Sequence, residues 1–172
     1  MKTLYILRHA KAAPEGGECD ADRPLMKRGH KAAAAMGEYL ATLKPAPALV
    51  LCSTALRTRE TLDRLAPSLH GAPRILFEEA LYLASARQLL ERLQRLPESV
   101  HSVLLIGHNP GLHQLAMTLA SESNGLAESF PTAALAVLRI AESWAELHPR
   151  RAKLIDYRTP KSLSRDPDFA VD

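Results

Sequence analysis

Three short stretches of the chain hold the residues that could do chemistry. Arg8-His9-Ala10 follows the apolar run Thr3–Leu7. Ser53-Thr54 follows Leu49–Leu51, and Arg57-Thr58-Arg59 comes one helical turn later. Gly107-His108-Asn109-Pro110-Gly111 follows Ser102–Ile106. Arginine presents a planar, permanently charged fork of donors that matches an oxyanion. Positive charge beside a histidine disfavours its protonation and leaves a neutral imidazole. A phosphoryl group carries nearly two negative charges and is transferred mainly by positioning and charge stabilisation, so it is the species these residue types would serve. Taken singly, each stretch has an ordinary counterpart: an exposed loop for Arg8-His9, solvent-facing helix residues for Arg57 and Arg59, a plain Asn-Pro-Gly turn after residue 107. Their common position, a strand end running into a helix, is what sets them apart. An open parallel sheet gathers such ends along one edge, where ligands bind.

The elements that must hold these stretches follow from the apolar periodicity, which alternates strand and helix along the chain. Strands are predicted at Thr3–Leu7, Leu49–Leu51, Arg74–Phe77, Ser102–Ile106 and Ala133–Ile140, with Arg151–Asp156 as an edge strand. Helices are predicted over Leu25–Leu43, Leu56–Leu65, Ser85–Leu96 and Gly111–Ala120, the first and third stopped by Pro45 and Pro97. This order specifies an α/β class fold, a three-layer α/β/α sandwich around a mostly parallel central sheet. One domain is expected over residues 1–158, followed by a polar C-terminal tail over 159–172. The loop Ser121–Pro131 stands where it would rim a pocket.

Composition narrows the classes. The chain has 172 residues, of which 47% are hydrophobic and 24% charged, so disorder, collagen and coiled coil are excluded. No apolar run approaches the ~18 residues of a membrane helix. The N-terminal apolar stretch breaks at Arg8-His9, too early for a signal peptide, and a cytoplasmic protein with no membrane association is expected. Net charge is +3, with a basic cluster near the C-terminus; lacking aromatic platforms, it is read as solvated, and no nucleic-acid partner is expected. Cys19 and Cys52 have no framework or metal spacing, and Cys52 is read as a core thiol. His30, His70, His101, His113 and His148 receive no role. Asp20 and Asp22 are read as solvated loop carboxylates. No cluster of metal-site type stands beside the three stretches, so neither a metal nor another cofactor is expected.

Arg8-His9, the stretch Ser53-Thr54-Ala55-Leu56-Arg57-Thr58-Arg59-Glu60-Thr61, and Gly107-His108-Asn109-Pro110 together resemble the histidine phosphatase superfamily, also called phosphoglycerate mutase-like. The small size, Asp22-Arg23-Pro24-Leu25 with Gly29, and Leu81-Tyr82 are similar to its SixA-type phosphohistidine phosphatase branch. The resemblance covers residues 3 to 158. It implies that His9 is the nucleophile that accepts the phosphoryl group, that Arg8, Arg57 and His108 surround its oxygens, and that Arg23 and Asn109 add substrate contacts. One departure is visible: Ala10 stands where the superfamily's Arg-His motif continues with Gly, which matters if residue 10 needs a positive φ.

Larger superfamily members place an acid between the second and third motifs under a helical cap. Here that interval has room for no sizeable cap, and Glu79 is the best-placed acid, with solvated charge as its equal alternative. An open pocket would admit a side chain on another protein's surface. The resemblance therefore implies a metal-independent phosphohydrolase working through a phosphohistidine intermediate, with phosphohistidine on a protein as the expected substrate. The alternatives are a small phosphate ester such as a sugar phosphate, or a phosphate-binding module without turnover. A mutase would need a cap to exclude water, and a dinucleotide-binding domain would need G-x-G-x-x-G after the first strand. The sequence carries no indication of oligomeric state.

Overall fold

Side chains along a strand alternate between the two faces of a sheet, and here both faces are apolar. In β1 (Lys2–Arg8), Leu4 and Ile6 enter one core while Tyr5 and Leu7 enter the other. β2 (Leu49–Ser53) splits Leu49 and Leu51 from Val50 and Cys52, and β4 (Ser102–Gly107) splits Val103 and Leu105 from Leu104 and Ile106. Strands buried on both sides need a layer on each. Helices α3 (Ala86–Gln94) and α4 (Gly111–Leu119) cover the first face with Leu89, Leu93, Leu112, Leu115 and Leu119. Helices α1 (Lys27–Ala41) and α2 (Leu56–Leu65) cover the second with Met36, Leu40, Leu62 and Leu65. The computed structural model describes residues 1–163 and has the expected three-layer α/β/α sandwich.

The six-stranded sheet is ordered β3-β2-β4-β1-β5-β6, with β3 at Arg74–Glu78, β5 at Leu135–Ile140 and β6 at Ala152–Arg158. The strands β3, β2, β4 and β1 run parallel; β5 runs antiparallel to both of its neighbours, so β6 points the same way as β1. The order makes β2, β4 and β1 neighbours. Their registers pair Arg8 with Gly107 and Cys52 with Ile106, so the three chemistry-bearing strand ends lie side by side. The interval between α2 and β4 holds β3, α3 and short turns, with no inserted cap.

Several boundaries differ from expectation, each for a local reason. Helix α1 begins at Lys27 rather than Leu25, because Leu25 bridges back to Ala12 and its N–H donates to the Glu60 carboxylate at 3.0 Å. Strand β5 begins at Leu135 rather than Ala133, because Ala133 has φ +60° and the Ala134 N–H closes a turn onto the Pro131 carbonyl. Helix α3 opens on a Ser85–Gln88 capping box, two orphan donors satisfied reciprocally, as the prediction of a start there requires. The tail expected from residue 159 starts with a helical turn, α5 (Pro160–Leu163), whose Leu163 packs against the core on the α1–α2 side of the sheet; its remainder lies outside the described residues. No helix among the described residues is long and apolar enough to cross a membrane.

Candidate active site

The strand ends open onto a cleft of about 360 Å³ lined by Arg8, His9, Lys11, Arg23, Arg57, His108 and Asn109, among others. His9 leaves β1 with its N–H on the Gly107 carbonyl at 3.1 Å, and its own carbonyl accepts from the Ala133 N–H. Its ring is buried. Nδ1 lies 2.8 Å from the Ala10 carbonyl, which can only accept, so Nδ1 carries the proton and Nε2 keeps its lone pair. Burial first, then His108 and the charges of Arg8 and Arg57, lower the His9 pKa to about 3. A neutral imidazole with one nitrogen anchored and the other unprotonated is a nucleophile that needs no separate base.

Ala10 is fully buried and, with φ outside the left-handed region, tolerates its methyl group; the non-glycine residues that do have positive φ among those described are Ala72, Leu83, Ala133 and Arg150. Its N–H donates to Thr61 Oγ1 at 2.9 Å, and that hydroxyl donates to the Arg57 carbonyl at 2.7 Å. Thr61 thus ties the loop after β1 to the helix that carries Arg57.

Helical phase separates Arg57 from Arg59 on α2. Arg57 is buried and reaches the cleft, whereas Arg59 is exposed with its guanidinium 4.9 Å from the Phe77 ring. His108 opens the turn after β4, and its ring centroid stands 5.3 Å from that of His9. Burial first, then Arg57, lowers its pKa to about 4, so His108 is neutral at neutral pH. The position of α4 behind it depends on Gly111, where a Cβ would fall 1.9 Å from the Ala84 carbonyl oxygen. Only glycine lets helix and loop backbone meet there.

Asn109 Nδ2 and Arg8 Nη1 both donate to the Phe130 carbonyl, at 2.8 and 3.2 Å. The loop 121–131, expected to rim the cleft, contributes none of its lining and instead braces these two residues from behind. Arg23 also reaches the cleft, held by donating to Asp20 and to the Ala13 carbonyl.

Glu79, expected as the best-placed acid, is exposed on the turn Glu79–Leu81 and outside the cleft lining. The reason is the strand order: it follows β3, the outermost strand, two places from β4 and three from β1. The carboxylate in the cleft is Asp20, which had been read as solvated. It accepts from Arg57 Nη2 and Arg23 Nε at 3.0 Å each and from the Tyr82 hydroxyl. The Tyr82 hydrogen bond first, then those from Arg57 and Arg23, hold its pKa well below the usual carboxylate range. A signal was present in the sequence: Asp20 and Arg23 are three residues apart, the spacing of side-chain neighbours on a helical turn. Lys11, Leu83 and Thr132 also line the cleft and were not singled out. Cys52 is buried and its thiol is pushed up to about 12 by burial, an inert core group. Among the described residues no group of three or more His, Cys, Asp or Glu side chains could hold a metal ion.

The profile of the histidine phosphatase superfamily (branch 1) matches residues 4–81. An uncharacterized protein of Mycobacterium tuberculosis is 39% identical over 165 residues, which is 90% of this chain and all of that one. A Nakamurella multipartitia structure assigned as the phosphohistidine phosphatase SixA superposes with TM-score 0.83 at 30% identity, over 92% of this chain and 96% of that one. The protein histidine phosphatase SixA complexed with tungstate superposes with TM-score 0.79 at 26% identity, over 94% and 99% of the two chains.

Proposed function

The chain belongs to the SixA-type branch of the histidine phosphatase superfamily, phosphatases that work through a histidine intermediate, and on that footing we propose that it removes the phosphoryl group from phosphohistidine on a protein, with His9 as the nucleophile. The observation that carries this reading is His9 itself, with Nδ1 spent on the Ala10 carbonyl and Nε2 unprotonated in a cleft lined by Arg8, Arg23 and Arg57.

His9 Nε2 attacks phosphorus while the bond from phosphorus to the leaving nitrogen breaks, and that nitrogen takes a proton from water. Arg8 and Arg57 hold the equatorial oxygens and His108 donates to the developing charge. Water then attacks the phosphorylated His9, the Nε2–phosphorus bond breaks, and inorganic phosphate leaves. Nothing in this sequence of steps calls for a metal. The absence of an inserted cap supports a substrate presented on a protein surface, and an imidazole leaving group needs less acid help than an alkoxide.

One observation favours a second reading. Asp20 is a carboxylate inside the cleft. Its donors hold it ionised in the free protein, and a substrate that displaced them and let it take a proton would make it the acid that poor leaving groups need, as in small alkyl phosphate esters. A panel of phosphohistidine peptide, phosphoserine peptide and sugar phosphates, assayed with wild type and Asp20→Asn, separates the two. We expect phosphohistidine to be the preferred substrate and the mutant's loss to be uniform across leaving groups, since Asp20 acts through Arg57. Fast alkyl phosphate hydrolysis that collapses selectively in Asp20→Asn would overturn the phosphohistidine assignment.

A further inference from the structure

The Ser53 hydroxyl lies at the end of β2, fully buried, with Oγ 2.7 Å from His108 Nε2. Its other contact is the Ala55 N–H, which donates to it at 3.4 Å. The Ser53 proton therefore has one acceptor among the described residues, His108 Nε2. His108 Nδ1, the other ring nitrogen, is buried with no hydrogen-bond partner. Counting the two arrangements decides between them. If Ser53 donates to Nε2, the His108 proton sits on Nδ1 and one group is left unpaired. If Nε2–H donates to Ser53 instead, both the Ser53 hydroxyl proton and the Nδ1 lone pair are left unpaired in the interior. Each buried unpaired group carries a desolvation cost, so the first arrangement holds.

We propose that Ser53 is a positioning residue that fixes His108 as the Nδ1–H tautomer, so that the ring offers a donor rather than a lone pair to the phosphoryl oxygens. This rests on the reading of the cleft as a phosphoryl-transfer site: His108 lines the cleft, Ser53 takes its Nε2, and Nδ1 is the ring nitrogen left for phosphoryl oxygens, which are acceptors and would be repelled by a lone pair. The backbone around Ser53 is built to keep it still: Thr58 Oγ1 donates to the carbonyls of Ser53 and Ala55 at 2.7 and 2.8 Å. His108 is further flanked by the rings of His9 and Tyr82, each 5.3 Å away between centroids.

The test reads the tautomer directly, by two-bond 1H–15N correlation spectra of histidine-labelled protein at pH 7 without ligand. Wild type is expected to show His108 protonated on Nδ1. Ser53→Ala is expected to move the population toward Nε2–H and to lower kcat by about 10–100-fold, the scale for losing a partner that orients a functional imidazole. Ser53→Thr, which keeps the hydroxyl, restores both. Wild type with His108 protonated on Nε2 overturns the proposal, as does a folded Ser53→Ala with an unchanged tautomer. Where Ser53→Ala does not fold, the wild-type and Ser53→Thr spectra decide it alone. Should the tautomer respond as expected while the protein neither turns over phosphohistidine nor forms a phosphoenzyme, the positioning role stands and the functional reading above fails.

Discussion

His9 and Asp20 divide the work of the cleft between an unprotonated nitrogen and a resident anion. His9 is silent toward protons over the whole physiological range because burial and two guanidiniums act in the same direction. Removing it should separate binding from chemistry. His9→Ala is expected to abolish turnover while vanadate still binds, since Arg8, Arg57 and His108 remain; more than a few per cent residual activity would remove His9 from the nucleophile role. Brief mixing of wild type with labelled substrate should leave acid-labile, base-stable label on His9. Asp20 was hidden from sequence reasoning for a physical reason: a loop carboxylate is ordinarily solvated, and only the fold brings Tyr82, 62 positions away, to donate to it.

At the scale of the element, α2 is a helix whose phase puts Arg57 in the cleft and Arg59 outside it. Arg57→Ala should lower kcat/KM by at least ~100-fold, the scale for one preorganised charge-stabilising donor. Arg59→Ala should change it within about twofold, as exposed substitutions usually do. Equal losses in a steady-state assay would mean that the wrong arginine has been assigned to the cleft. Elements were the most legible level of the sequence. Strands buried on both faces read as unbroken apolar runs, which is why β1, β2 and β4 were placed to within a residue or two. Strand order was not legible, because it is set by packing between distant segments. The two differences from expectation at the cleft, Glu79 outside its lining and Asp20 inside it, concern placements that only the assembled fold sets.

Stability of the whole molecule should carry the signature of the two neutral histidines. Unfolded histidine titrates near pH 6.5, whereas folded His9 and His108 do so at about 3 and about 4. Above pH 6.5 neither state takes up protons at these sites. Below it the unfolded chain does and the folded one does not, so stability falls with pH. At pH 5 the loss is about 2 kcal/mol for each histidine. Urea midpoints between pH 7 and 5 should therefore fall less steeply in His9→Ala than in wild type; equal slopes would show that His9 titrates normally.

The sheet ends at β3, and that edge has consequences for the protein in concentrated solution. Ile75 and Phe77 are 40% and 45% exposed there, beside a row of backbone donors and acceptors that no strand among the described residues covers. Such an edge invites pairing between molecules unless charge blunts it. Arg59 lies across Phe77, and Glu78 at the strand's end is bound by Arg92. Arg59→Ala, which should leave turnover intact, is then expected to scatter light increasingly with concentration where wild type does not. Unchanged scattering would leave Arg59 without this role. Two arginines two residues apart would answer to different demands, one to a phosphoryl group and the other to colloidal behaviour.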